Sequence, residues 1–167
     1  MTSKPPIPHV CIYTTTSPTR TESWYKPGGT MSMVMGNLVG RIVDRGGDYL
    51  GRWSFIRYAG VGHRTVIVVS AYQVCVRPTN VHGTTAFHQQ QAILQHERRP
   101  NINPRKNFRR DLTSALHLWK ARGDSIILMG DFNEDLHAVN SGMSSLLHDS
   151  TLELVDVIGH QHPSAMG

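Results

Sequence analysis

Two short, strongly apolar segments constrain the fold of this 167-residue chain more than any other feature of its sequence. Residues 65–71, Thr-Val-Ile-Val-Val-Ser-Ala, are dense in β-branched side chains, and residues 125–129, Ser-Ile-Ile-Leu-Met, repeat that character. Runs of this length without polar alternation are typical of strands buried on both faces of a sheet. They predict two central strands that other elements must cover.

Two helices are predicted between the two apolar segments, from apolar residues that recur at helical spacing. Residues 84–97 place their apolar side chains on one stripe, and Thr84 or Thr85 suits the N-cap of this first helix. A second helix is predicted to begin after Asn103 as N-cap, with Pro104 at its first position, and to end at Gly123.

The remaining elements are predicted from alternation and turn residues. They are a short strand over 10–13, a strand over 31–43 that is irregular near Gly36 or Gly40, a turn over 45–48, a strand from Trp53, a turn over 60–63, a short helix over 141–149 and a strand fragment over 152–158. This order indicates a mixed α/β layered domain.

The predicted domain covers residues 28–158. Residues 1–27 are rich in proline, serine and threonine and are expected to be poorly ordered, and residues 159–167 form a tail without a pattern. No apolar run approaches the roughly 18 residues of a membrane span, and two cysteines without a CxxC pair exclude a disulfide scaffold. We therefore expect an intracellular protein with no membrane contact, and the choice between nucleus and cytoplasm stays open.

The sharpest chemical motif is Gly-Asp-Phe-Asn-Glu at residues 130–134, directly after the second apolar run. Residues two apart on an extended chain point to the same side, so Asp131 and Asn133 are predicted to project together at the end of a central strand. Open α/β sheets place ligand sites at such strand ends. The alternative is a polar turn, in which both side chains cap local backbone groups.

A second candidate residue, Tyr72, follows the other apolar run within Ser-Ala-Tyr. A tyrosine at a strand end can direct its hydroxyl at a phosphate or a leaving oxygen. The alternative is an amphipathic core residue with a single hydrogen-bond partner.

The chain carries 17 Lys and Arg residues against 12 Asp and Glu residues, a net charge of +5, and its pI is about 9.6. This balance is compatible with a polyanionic partner such as nucleic acid. Six cations surround the second predicted helix and either contact phosphates or form a solvated helix face. They are Arg98, Arg99, Arg105, Lys106, Arg109 and Arg110.

Four motifs occur in the order seen in the endonuclease/exonuclease/phosphatase superfamily. They are Gly-Gly-Thr at 28–30, Gly-Arg-Trp at 51–53, Ser-Ala-Tyr at 70–72 and Gly-Asp-Phe-Asn-Glu at 130–134. Over about residues 24–158 the chain resembles, more narrowly, the endonuclease domains of retrotransposons, which precede reverse transcriptases.

The resemblance implies a four-layer α/β sandwich and Mg²⁺- or Mn²⁺-dependent hydrolysis of phosphodiesters in nucleic acid, with DNA favoured over RNA. Asp131 would activate the attacking water, Asn133 would help to hold the phosphate, and Tyr72 would lie near the phosphate or the leaving group. Asp131 and Glu134, three residues later, are the candidate metal ligands, although a turn role is the alternative for Glu134.

The chain also departs from the family pattern. The family places a strand ending in Asn and a strand ending in a metal-binding Glu before Gly-Gly-Thr, but only 27 residues precede Gly28, and Glu22 follows no apolar strand. The Ser-Asp-His segment that ends the family domain does not occur. We therefore expect a partial sandwich that lacks its N- and C-terminal strands, with an incomplete active site and marginal stability. The alternatives are an inactive nucleic-acid-binding remnant and a non-functional fragment.

Overall fold

The protein is a mixed α/β structure with two separate sheets. The structure, a computed structural model, describes residues 10–15, 29–76, 85–136, 138 and 142–158. Most of the predicted N-terminal segment and the whole tail lie outside these residues. The elements in chain order are β1 (Val10–Thr15), β2 (Thr30–Met35), a 3₁₀ helix (Gly36–Arg41), β3 (Ile42–Gly47), β4 (Trp53–Ala59), β5 (Thr65–Tyr72), α1 (Ala86–His96), α2 (Pro104–Ala121), β6 (Asp124–Asp131) and α3 (Ser144–Leu147).

The larger sheet has the strand order β3-β4-β5-β6, and β1 pairs with β2 in the smaller one. β3, β4 and β5 are antiparallel neighbours, whereas β6 returns parallel to β5 after the two helices. Thr65 pairs with Asp124 where these parallel strands begin, and Tyr72 pairs with Asp131 where they end. This parallel pairing places the two motif-bearing strand ends side by side.

The main core lies between the larger sheet and α2. Ile67, Val69 and Ala71 point from β5 toward the helix and are at most 3% exposed. The helix contributes Phe108, Leu112, Leu116 and Trp119, as its apolar stripe predicts. The predicted helix start is also confirmed, because the Asn103 side chain accepts hydrogen bonds from two backbone N–H groups of the first turn.

The single irregular strand predicted over residues 31–43 is wrong in one respect. A 3₁₀ helix divides this segment into β2 and β3, and the two strands belong to different sheets. The turn predicted over 45–48 also lies a few residues later, because β3 continues through Gly46 opposite Phe55. A Cβ atom at Gly46 would lie 2.7 Å from the Phe55 ring, so glycine here permits strand pairing and does not mark a turn.

The prediction of two strands buried on both faces is wrong for β6. β6 has one pairing partner among the described strands, and its Ile127 and Met129 side chains are 49% and 50% exposed. β5 is an inner strand, but its second face is only partly covered. β2 approaches that side of the sheet, where the hydroxyls of Ser32 and Ser54 lie 2.9 Å apart in a hydrogen bond.

The strand fragment predicted over residues 152–158 does not form. This segment is largely irregular, and Val155 and Val157 are well exposed, so apolar alternation here does not correspond to a paired strand. The helix predicted over 141–149 is confirmed in shorter form as α3. Within the described parts of the chain, no helix is long and apolar enough to cross a membrane.

Candidate functional site

The structure brings Tyr72, Asp131 and Asn133 together at one edge of the larger sheet. Tyr72 ends β5 and is the register partner of Asp131, which ends the parallel strand β6. The thiol of Cys75, three residues after Tyr72, donates a hydrogen bond to Asn133 Oδ1 at 3.0 Å. The three residues selected from the sequence therefore form one cluster, joined by a fourth residue that the sequence analysis did not select.

The backbone conformation that brings Asn133 into this cluster differs from the extended one that was predicted. Its φ of 47° lies in the left-handed region, so the chain turns after Asp131 and does not continue as an extended strand. Its N–H donates to Asp131 Oδ1 at 3.0 Å, and its Nδ2 donates to the carbonyl of Gln73 at 2.7 Å. The polar turn considered as an alternative is thus present, and it fixes the Asn133 side chain against the end of β5.

Gly130 is the residue that lets the two strand ends approach. It pairs with Ala71, and a Cβ atom at Gly130 would overlap the carbonyl oxygen of Ala71. Its φ of 154° is also one that side-chain-bearing residues rarely adopt. Only glycine fits without strain at this position of the Gly-Asp-Phe-Asn motif.

The electrostatic setting keeps the Tyr72 hydroxyl protonated. Burial raises the pKa of Tyr72 above its ordinary value of 10, and Cys75 and the Asp131 carboxylate raise it further, while a hydrogen bond with Asn133 acts in the opposite direction. A neutral phenol is a hydrogen-bond donor at physiological pH. Asp131 itself is exposed, and residues 130–136 line an open cavity of about 410 Å³.

Glu134, the second candidate metal ligand, is held by protein groups. Its Oε1 accepts from the N–H of Gly142 at 2.9 Å, and its Oε2 accepts from Gln73 Nε2 at 3.1 Å. Arg105 and Arg109 lie 3.5 and 3.4 Å from its carboxylate oxygens. Burial raises the pKa of Glu134, but these hydrogen bonds and charges outweigh burial and lower it overall. Asp131 is therefore the more accessible carboxylate of the two.

Arg105 belongs to neither of the two settings predicted for the basic run. It is only 8% exposed, so it is not part of a solvated helix face, and its guanidinium contacts protein groups. The sequence contains the pattern that could have identified it, because Arg105 precedes Phe108 and Leu112 at helical spacing on the apolar stripe. Gln73 was missed in the same way, since it continues the inward-facing alternation of β5 and is fully buried.

A second buried arginine supports the cluster from the other side. Arg52 is 1% exposed and bonds to Asp48, Asn107 and Asp111 through its guanidinium. Its carbonyl accepts a hydrogen bond from the N–H of Tyr72 at 2.8 Å. The turn before β4 is thereby attached both to α2 and to the end of β5.

Among the described residues, no group of three or more His, Cys, Asp or Glu side chains is arranged to hold a metal ion. Mg²⁺ commonly binds through one or two carboxylates and completes its shell with water and substrate phosphates. The exposed Asp131 fits that limited donor set, whereas Glu134 fits only if its present partners are released.

Searches with the whole sequence find no matching model of a protein family and no matching curated protein. The fold and the arrangement of Tyr72, Asp131 and Asn133 therefore carry the functional argument.

Proposed function

We propose that this chain is part of a metal-dependent phosphodiesterase domain of the endonuclease/exonuclease/phosphatase type, derived from a retroelement and acting on nucleic acid. The observation that carries the proposal is the pairing of Tyr72 with Asp131 at adjacent parallel strand ends, with Asn133 beside them. In that superfamily the corresponding residues surround the scissile phosphate.

Each of the three residues has a role that its environment supports. Asp131 is exposed and anionic, so it can orient a water molecule or hold Mg²⁺ or Mn²⁺ together with a substrate phosphate. Tyr72 is neutral and can donate a hydrogen bond to a phosphoryl or leaving oxygen, where negative charge develops. Asn133 can donate to a phosphate when its Nδ2 exchanges the bond to the Gln73 carbonyl.

On this proposal, the described residues form part of a larger layered sandwich. The half-exposed Ile127 and Met129 on one face of β6 support this idea, as do the exposed Val155 and Val157 nearby. Apolar sheet faces are normally covered by another layer.

A nicking assay tests the proposal. Purified protein is incubated with supercoiled plasmid and Mg²⁺, and open circles are counted over time for the wild type, Asp131→Ala and a matched control, Asp44→Ala. Asp44 is an exposed aspartate on β3, in the same sheet but outside the cluster. We expect nicking by the wild type and by the control, and a loss of at least about 100-fold in Asp131→Ala, as for the removal of a positioned general base. Nicking that survives Asp131→Ala overturns the role of Asp131, and nicking that is absent from the wild type overturns hydrolysis by this chain.

The second candidate is a catalytically inactive protein that binds nucleic acid. It is favoured by the engagement of Glu134 with protein groups, which leaves Asp131 as the accessible carboxylate of the motif. It predicts DNA binding that weakens steeply with salt and no nicking. The third alternative, a non-functional fragment, predicts neither binding nor nicking.

A further inference from the structure

Arg105 is unusual among the cations of this protein. Of the lysines and arginines in the described ranges, only Arg52 and Arg105 are buried. Burying a guanidinium costs several kcal/mol of hydration, which only well-placed partners offset. The partners of Arg105 therefore show what its burial stabilises.

Those partners lie on both sides of the candidate site. Nη1 donates to the carbonyl of Val74, just after β5, at 2.6 Å, and Nη2 donates to the carbonyl of Asn133, just after β6, at 3.1 Å. Glu134 provides the compensating charge, with its Oε2 3.5 Å from Nη2. A single planar group thus bridges the two segments that carry Tyr72 and Asn133.

The Arg105 guanidinium lies just beyond the point where backbone hydrogen bonds between β5 and β6 end. The paired register of β5 and β6 ends at Tyr72 and Asp131, and one further backbone bond joins the N–H of Gln73 to the carbonyl of Asp131 at 2.9 Å. Beyond that point the buried carbonyl of Val74 and the partly buried carbonyl of Asn133 need other donors, because a buried backbone group without a partner is costly. Arg105 supplies two of these donors.

We propose that Arg105 is a positioning residue, whose guanidinium fixes the spacing between the Tyr72–Cys75 segment and the Asn133 side chain. Lysine cannot replace it, because an ammonium group lacks the planar pair of donors that reaches both carbonyls at once. The effect on catalysis rests on the proposed function, whereas the effect on spacing does not.

The test compares Arg105→Lys with Arg122→Lys, an exposed arginine at the far end of the same helix. The rate at which an aromatic disulfide reagent labels Cys75 reports the spacing, because the Cys75 thiol bonds to Asn133. Cys11, in the other sheet, is the internal reference. We expect Arg105→Lys to raise the Cys75 rate by about five-fold, which corresponds to the loss of one hydrogen bond. We expect Cys11 to be unaffected and Arg122→Lys to have no effect.

Nicking kinetics supply the second measurement. A displaced site lowers kcat by roughly 10- to 100-fold with little change in KM, because binding is retained while geometry is lost. If no variant nicks DNA, the proposed function fails, and the Cys75 rate still decides the positioning role. Equal labelling of Cys75 in Arg105→Lys and wild type overturns the inference, as does a parallel rise at Cys11, which would indicate general loosening. If Arg105→Lys does not fold, Glu134→Gln, which removes the compensating charge and keeps a hydrogen-bonding amide, takes its place with the same two outcomes.

Discussion

Replacing Arg52 with methionine should destabilise the protein more than any surface substitution. The Arg52 guanidinium is 1% exposed and lies 2.6 Å from Asp48 Oδ2, and the Asp48 side chain is itself only 5% exposed. Burial alone lowers the pKa of Arg52, but the hydrogen bonds and charges of Asp48 and Asp111 raise it overall, so the arginine is charged. Methionine fills similar space but leaves Asp48 as a buried carboxylate without its cation.

The magnitude follows from that uncompensated charge. Removing one partner of a buried ion pair costs about 3–5 kcal/mol. A domain of ordinary stability has about 5–15 kcal/mol in total, so the variant should retain only part of its free energy of unfolding. Each kcal/mol lowers the thermal midpoint of a chain of this size by roughly 2–4 °C.

Urea unfolding followed by tryptophan fluorescence measures the loss, since Trp53 and Trp119 lie in the core. The double variant Arg52→Met/Asp48→Asn is the decisive comparison. Asparagine removes the buried charge but still accepts from the N–H groups of Leu50 and Arg52, as Asp48 does. It should therefore recover about half of the lost stability. A loss below about 1 kcal/mol in Arg52→Met, or no recovery in the double variant, would refute the reasoning from burial.

Three further outcomes follow from the structure. Gly130→Ala should lower the free energy of unfolding by about 1–3 kcal/mol, because its methyl group overlaps the neighbouring strand, while Gly40→Ala, with open space around it, should have little effect in the same urea titration. Because the pKa of Glu134 is lowered below its ordinary 4.5, its stabilisation is present above that pH and is lost as pH falls through the lower folded value, so Glu134→Gln should flatten the acid side of a stability–pH curve. A pair of lysines at Ile127 and Met129, which are half exposed, should reduce self-association in light scattering without lowering the thermal midpoint.

The elements that could be predicted are those whose causes are local. Asn103 and Pro104 define the start of α2 through capping and a fixed φ, so neighbouring residues contain all the necessary information. The β-branched run of β5 likewise predicts a strand wherever it lies. The mixed α/β class followed from these elements and their order, whereas the adjacency of the two motif-bearing strand ends is a finding of the structure.

Features that depend on distant parts of the chain could not be predicted. The sequence of β6 is as apolar as that of β5, and only the strand order shows that β6 has one neighbour among the described strands. The division of residues 31–43 depends on which sheet each half joins. The partners of Arg105 and Gln73 lie about 30 and 60 residues away along the chain, which no local pattern reports.

Two buried arginines hold the segments that carry Tyr72, Asp131 and Asn133 in place. Arg52 holds the turn before β4 against Tyr72, and Arg105 with Glu134 holds the ends of β5 and β6 together. Two buried arginines thus surround a cluster in which Asp131 is the exposed carboxylate. Buried charge is costly unless its partners stay in place, so displacing the groups that these two arginines bond at this sheet edge carries a penalty. That penalty fixes the polar turn in which Asn133 bonds to Asp131 and Gln73, and a ligand held by Asp131 would meet those groups in fixed positions.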